Sequence, residues 1–174
     1  MKKLPILIVS FILLSAFSPN NTASWRIADD FSVSFKTKKA KGNFTTLQGQ
    51  VIFDENDLAN ASFQVEVEVA SIQAGNWLKT RHAKGGSWFD ADEYPTIKFS
   101  SKEVRKSKEA YLVSGDLTLH GITKEITIPF DFKQNKFQGS FTVNRLDYEV
   151  GTIKGMSKSV GTAIKIDLSV PVTN

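Results

Sequence analysis

Apolar and polar side chains alternate along most of the chain beyond its N-terminal segment, and a period of two marks strands with one face toward an apolar interior. ASFQVEVEVAS is the clearest run: Phe63, Val65, Val67 and Val69 fall on one face, Gln64, Glu66 and Glu68 on the other. DFSVSFKTK aligns Phe31, Val33 and Phe35, PTIKFSS aligns Ile97 and Phe99, and AYLVSGDLTLHG aligns Tyr111, Val113, Leu117 and Leu119. KEITIPFDFK sets Ile126, Ile128, Phe130 and Phe132 together, KFQGSFTVNR adds Phe137, Phe141 and Val143, and AIKIDLSVPV runs from Ile164 to Val172. With WRIA and GQVIFD the pattern predicts roughly eight or nine strands. Turn signals separate them at DEND (54–57), KSKE (106–109) and KQNK (133–136), and near Gly49, Gly121 and Gly151. Such spacing predicts antiparallel hairpins in a sandwich or a barrel, and periodicity does not choose between the two.

One segment, GNWLKTRHAKGGSWFDADEYP (75–95), breaks the alternation. Asn76 is placed to cap a short helix that carries Leu78 and His82 on one face and stops at Gly85 or Gly86. Ser87 and Asp90 then stand at capping-box spacing, and Pro95 closes the excursion. An aromatic-bearing helical insert in an otherwise all-strand chain suggests a lid or plug over an opening.

The N-terminus reads differently again. MKKLPILIVSFILLSAFS has a lysine pair, an apolar run from Leu4 to Leu14 and then small residues, the layout of a secretory signal peptide over 1–18, with cleavage expected between 16 and 23. The run is shorter than the roughly 20 apolar residues a spanning helix needs. A single domain over 24–174 and export to the periplasm are therefore expected. The chain has 13 Phe, 2 Met and no Cys, so an apolar interior would rest on rigid rings and branched chains without disulfides.

Charge narrows the partners. Without Lys2 and Lys3, 20 basic residues face 18 acidic ones, a net charge of +2, too little to make nucleic acid the expected partner. KTKKAK, Lys36 to Lys41, is the one basic cluster, read either as a solvated loop or as a contact for anionic lipid headgroups.

Candidate catalytic groups are few. His120, in GDLTLHGITK, has Thr118, Thr123 and Lys124 nearby but no nucleophile or metal signature, and reads as part of a turn. His82 and His120 without Cys or clustered carboxylates make a poor metal site. Glu66 and Glu68 alternate outward, and Asp90 and Asp92 belong to the capping segment, so neither pair reads as a glycosidase dyad. No catalytic residue, metal or cofactor is assigned.

From SWRI to the C-terminus the chain resembles the YceI-like family of polyisoprenoid-binding, lipocalin-like proteins. The matching pieces are SVSF, GNF followed by LQGQVIFD, ASIQAGN, WFDADEYPTIKFSS, VSGDLTLHGITKEITIPF, NRLDYEVG and VPV. The resemblance implies an all-β, extended antiparallel eight-stranded barrel with a short helical insert and an apolar tunnel for an isoprenoid chain, in an exported protein. It departs from the family at KTRHA (79–83), at SWFD and in an early strand without the usual histidine. These changes fall in the insert and near the expected mouth.

On this reading the lipid-binding residues are Phe35, Phe63, Val65, Val67, Trp77, His82, Trp88, Phe89, Phe99, Val113, Leu117, Ile128, Phe130 and Phe141, with Lys79, Arg81 and His82 toward a polar head. The partner is a long-chain isoprenoid, such as a quinone or prenyl phosphate, or a similar amphiphile, to be sequestered or transported. Transient membrane contact and a homodimer are compatible with it. Two rival readings stand beside it: an exported structural or stress-response module with a filled core, and a lipid-modifying enzyme using His82 or His120 as base.

Overall fold

The computed structural model describes residues 23–108, 110–152 and 159–174; the expected signal peptide lies outside them. The described chain forms eleven strands in one antiparallel sheet. They are β1 (Ser24–Ile27), β2 (Ser32–Lys36), β3 (Lys41–Phe44), β4 (Gln48–Ile52), β5 (Ser62–Glu68), β6 (Ile72–Gln73), β7 (Thr96–Ser107), β8 (Ala110–Leu119), β9 (Ile122–Lys133), β10 (Lys136–Asn144) and β11 (Ala163–Thr173).

Six of these are halves of three broken strands. β1 and β2 lie end to end along β11, pairing Ile27 with Val172 and Val33 with Leu168. β4 and β3 run along β1 and β2 in turn, and β5 and β6 follow along β4 and β3. The order β1-β4-β5-β7-β8-β9-β10-β11 then closes on itself through Arg26↔Thr173 and Ile27↔Val172. The result is a closed eight-stranded antiparallel barrel, which settles the choice that periodicity leaves open. Closure joins the first strand to the last, which removes the two outer edges an open sheet would leave; β6 keeps β3 as its one paired neighbour.

Antiparallel order sorts the connections to two ends. Residues 37–40, 74–95, 120–121, 145–152 and 159–162 lie at one end, the mouth; residues 53–61, the meeting of β7 and β8, the 133–136 turn and both ends of the described chain lie at the other, the floor. At the mouth Leu119 pairs with Ile122, leaving His120 (φ 52°) and Gly121 (φ 74°) alone in the turn. Two successive positive φ values define the type I′ turn, whose twist matches that of the strands it joins. The His120 ring lies tilted against Tyr94 with centroids 4.4 Å apart, and a Cβ on Gly121 would sit 2.7 Å from the same ring. Gln134 (φ 52°) and Asn135 (φ 54°) make the same kind of turn at the floor.

Gly49 is not a turn residue. It lies inside β4 at φ 136°, where a Cβ would stand 2.0 Å from the Gln64 carbonyl oxygen, so it permits the close approach of β4 and β5.

The helix α1 (Trp77–Lys84) starts and stops as its sequence predicts. The Asn76 side chain accepts from the Lys79 N–H at 2.9 Å, and the Gly85 N–H donates to the His82 carbonyl at 3.2 Å. The expected second start at Ser87 makes no helix. Residues 86–89 form turns, Asp90 takes φ 45°, and the Tyr94 N–H donates back to the Asp90 carbonyl at 2.7 Å. Between Gly86 and Pro95 too few residues remain to repay helix nucleation.

Candidate lipid cavity

The barrel interior has two parts. At the floor, Phe53 is 1% exposed and meets Tyr111, Phe130, Phe132 and Phe137 edge-on, with ring centroids between 5.1 and 5.6 Å. Phe63 joins the cluster at 5.5 Å from Phe130, and Trp25 at 5.4 Å from Phe132. Edge-to-face rings fill space efficiently and leave few free rotamers. The polar atoms of this layer are partnered: Trp25 Nε1 donates to the Phe53 carbonyl at 2.8 Å, and the Tyr111 hydroxyl donates to the Glu55 carboxylate at 2.6 Å. Burial, with the Glu55 carboxylate beside it, pushes the Tyr111 pKa up to about 12.

Above this floor lies a cavity of about 530 Å³. That size falls within the roughly 300–1,000 Å³ of pockets that hold one small organic ligand. Alternation explains its chemistry: the inward residue of each successive pair is apolar, so the wall is almost all carbon. It also explains a detail of burial. Phe35, Phe63, Val65, Phe141, Ile166 and Leu168 point inward yet are only half-buried, because part of each faces this void.

Thirteen of the residues singled out from sequence line this one cavity: Phe35, Phe63, Val65, Val67, His82, Trp88, Phe89, Phe99, Val113, Leu117, Ile128, Phe130 and Phe141. Trp77 does not. It stands 74% exposed on the outer side of α1, because Lys79, His82 and Ala83 turn toward the cavity while Trp77, Thr80, Arg81 and Lys84 share the opposite side. Lys79 thus borders the mouth and Arg81 does not. Trp88 and Phe89 lie across the mouth end, with Phe89 edge-on to Phe44 at 6.2 Å.

Sequence reasoning passes over Arg145, which also lines the cavity and is 4% exposed. It begins a short 3₁₀ turn, Arg145–Tyr148, after β10. Its Nε donates to the Gly161 carbonyl at 2.7 Å, and its Nη1 donates to those of Val150 and Gly151 at 2.6 and 2.8 Å. The guanidinium also lies 5.5 Å from the Trp88 ring. Burial lowers its pKa from the ordinary arginine value, and it remains a cation. One side chain therefore ties the β10–β11 connection to the insert over the mouth. No spacing rule marks it; it is one basic residue among many until the fold brings three carbonyls around it.

The two histidines serve different elements. His82 is exposed at the cavity mouth, whereas His120 is held in its turn against Tyr94 and does not line the cavity. Among the described residues no group of three or more His, Cys, Asp or Glu is placed to hold a metal ion. Glu66 faces out of the barrel, with Lys98 at 3.6 Å and the Gln48 amide donating to it at 2.8 Å.

Comparison with known proteins places this barrel. A UPF0312 protein of Vibrio campbellii is 31% identical over 152 residues, covering 78% of this chain and 80% of the relative. A UPF0312 protein of Photorhabdus laumondii is 36% identical over 87 residues, a match that spans 50% of this chain and only 45% of that relative's length. The crystal structure of Burkholderia cenocepacia BcnA superposes with a TM-score of 0.77 at 28% identity, covering 83% of this chain and 96% of the other. A polyisoprenoid binding domain from Saccharophagus degradans superposes at 0.56 with 16% identity, covering 86% and 92%, and shares the fold. The family model for the YceI-like domain matches residues 21–172, and the chain belongs to that family.

Proposed function

We propose that this chain is an exported lipid-binding protein that takes the tail of an isoprenoid quinone, prenyl phosphate or similar amphiphile into the barrel and sequesters or carries it. The observation that carries the reading is the carbon-walled cavity of about 530 Å³ above an aromatic floor, with Lys39, Lys79 and His82 at its mouth. A greasy tail leaving a bilayer loses burial worth about 0.8 kcal/mol per CH₂-sized group. A dry wall restores most of that, so affinity needs no directed polar contact along the tail. Lys39, Lys79 and His82 border the mouth and favour a polar or anionic head there. The floor limits how far the tail can reach. The description of the Saccharophagus relative as a polyisoprenoid binding domain supports the same ligand class, and the signal-like segment of the first 18 residues supports export. The proposed function needs binding without catalysis.

The test is a titration of delipidated protein with a prenyl phosphate and a prenyl quinone, read by Trp88 emission. Saturable binding is expected for the native chain. Filling the void with Val65→Phe and Ile166→Phe should abolish it without loss of fold. Binding that survives both substitutions would place the ligand elsewhere.

A further inference from the structure

We propose that the outer side of α1 and the 36–41 turn form a docking surface for a bilayer bearing anionic headgroups, which brings the cavity mouth against the membrane. α1 has no buried residue, and its two largest apolar side chains face out, Trp77 at 74% and Leu78 at 46% exposed. Water gains nothing from such a pair on an eight-residue helix, whereas an indole at a bilayer interface keeps its apolar body and its N–H both satisfied.

The charge around the pair has one sign. A shallow groove beside α1 is lined by Lys36, Lys41, Trp77, Arg81 and Lys84, with no acidic residue among its walls. Lys38 extends the set from the adjoining turn. One acid lies close by: Asp167, held below its ordinary pKa chiefly by Lys165, at 2.8 Å, with Lys36 adding to the effect. Around Tyr94 the rim has the opposite character. Asp90, Glu93 and Glu149 lie near Tyr94, all raising its pKa. The rim is therefore basic on one side of the mouth and acidic on another, a division that would orient the barrel on an anionic surface instead of merely attracting it. The basic side adjoins the cavity: Phe35 lines both groove and cavity, and Lys79, His82 and Ala83 occupy the cavity side of the same helix.

The surface commits to a lipid bilayer. A folded protein partner would be expected to offer acidic side chains in a matching shape, whereas an exposed indole and leucine beside basic side chains suit headgroups lying over acyl chains. Docking goes beyond ligand binding and does not require it.

The experiment is co-sedimentation of the mature chain with phosphatidylcholine vesicles, with and without phosphatidylglycerol, at low and high salt. Binding is expected with phosphatidylglycerol alone, weakening with salt, and accompanied by a blue shift of emission that Trp77→Phe removes. Trp77→Ser with Leu78→Ser, and separately Lys38→Glu with Lys41→Glu and Arg81→Glu, should each weaken binding about tenfold or more. None of these five residues lines the cavity, so both variants should keep the native circular dichroism spectrum and the uptake of a prenyl ligand. No sedimentation with either vesicle, or sedimentation unchanged in both variants, overturns the proposal. Prenyl uptake without vesicle binding would sink docking and leave the carrier; vesicle binding without uptake would do the reverse.

Discussion

At the scale of single residues, burial sets the chemistry of the few polar groups inside the barrel. Arg145 satisfies the carbonyls of Val150, Gly151 and Gly161 at once, and an unsatisfied buried carbonyl costs about 1–3 kcal/mol. Arg145→Met should therefore lower unfolding free energy by about 3 kcal/mol in denaturant melts. Arg145→Lys should recover little of it, because one ammonium cannot reproduce the planar fork. The tyrosines report on the same effect. Tyr111, pushed from 10.0 to about 12 by burial first and Glu55 second, binds its proton more tightly folded than unfolded. Its contribution to stability is thus whole below about pH 10 and is lost as pH rises toward 12. Tyr94 and Tyr148 are raised as well, Tyr94 chiefly by Glu93 and Tyr148 chiefly by burial. Absorbance titration should show tyrosinate forming at higher pH in the native chain than in the unfolded one; coincident curves would contradict the buried Tyr111–Glu55 bond. His120 was readable as a turn residue because HG between two alternating runs is a local signal. Arg145 was not, since its carbonyl partners lie 5, 6 and 16 residues further on in an irregular connection whose path no local pattern specifies.

At the scale of elements, most strands were legible and one interruption was not. WRIA and DFSVSFKTK read as separate runs, as β1 and β2 are, whereas ASFQVEVEVAS read as one run through the break that separates β5 from β6, because period two survives a short turn. The helix was legible through Asn76 and Gly85, while its orientation was not: Trp77 and Trp88 look alike in sequence, and only packing sends one out and the other in. Four substitutions at three positions test the elements. His120→Ile puts a β-branched residue at φ 52° and should cost about 1 kcal/mol, whereas His120→Asn, which tolerates that region, should be near neutral. Phe53→Ala removes the hub of the aromatic floor, 1% exposed, and should cost about 4 kcal/mol. Val65→Ala, facing space that is already open, should cost about 1 kcal/mol in the same unfolding assay.

At the scale of the whole molecule, the sequence-level resemblance anticipates the barrel, and pairing of β1 with β11 closes it. The void was less accessible to sequence reasoning, because alternation reports which side chains face inward and not whether their volumes fill the space they enclose. Here the rings crowd one end and leave the other open, so a floor and a cavity coexist along the same strands. Native mass spectrometry of the protein taken from exporting cells tests that arrangement most directly. The account predicts one long-chain amphiphile retained per chain, and its absence from the Val65→Phe, Ile166→Phe variant. A bare polypeptide mass for the native chain, unchanged after incubation with prenyl phosphates and quinones, would contradict it.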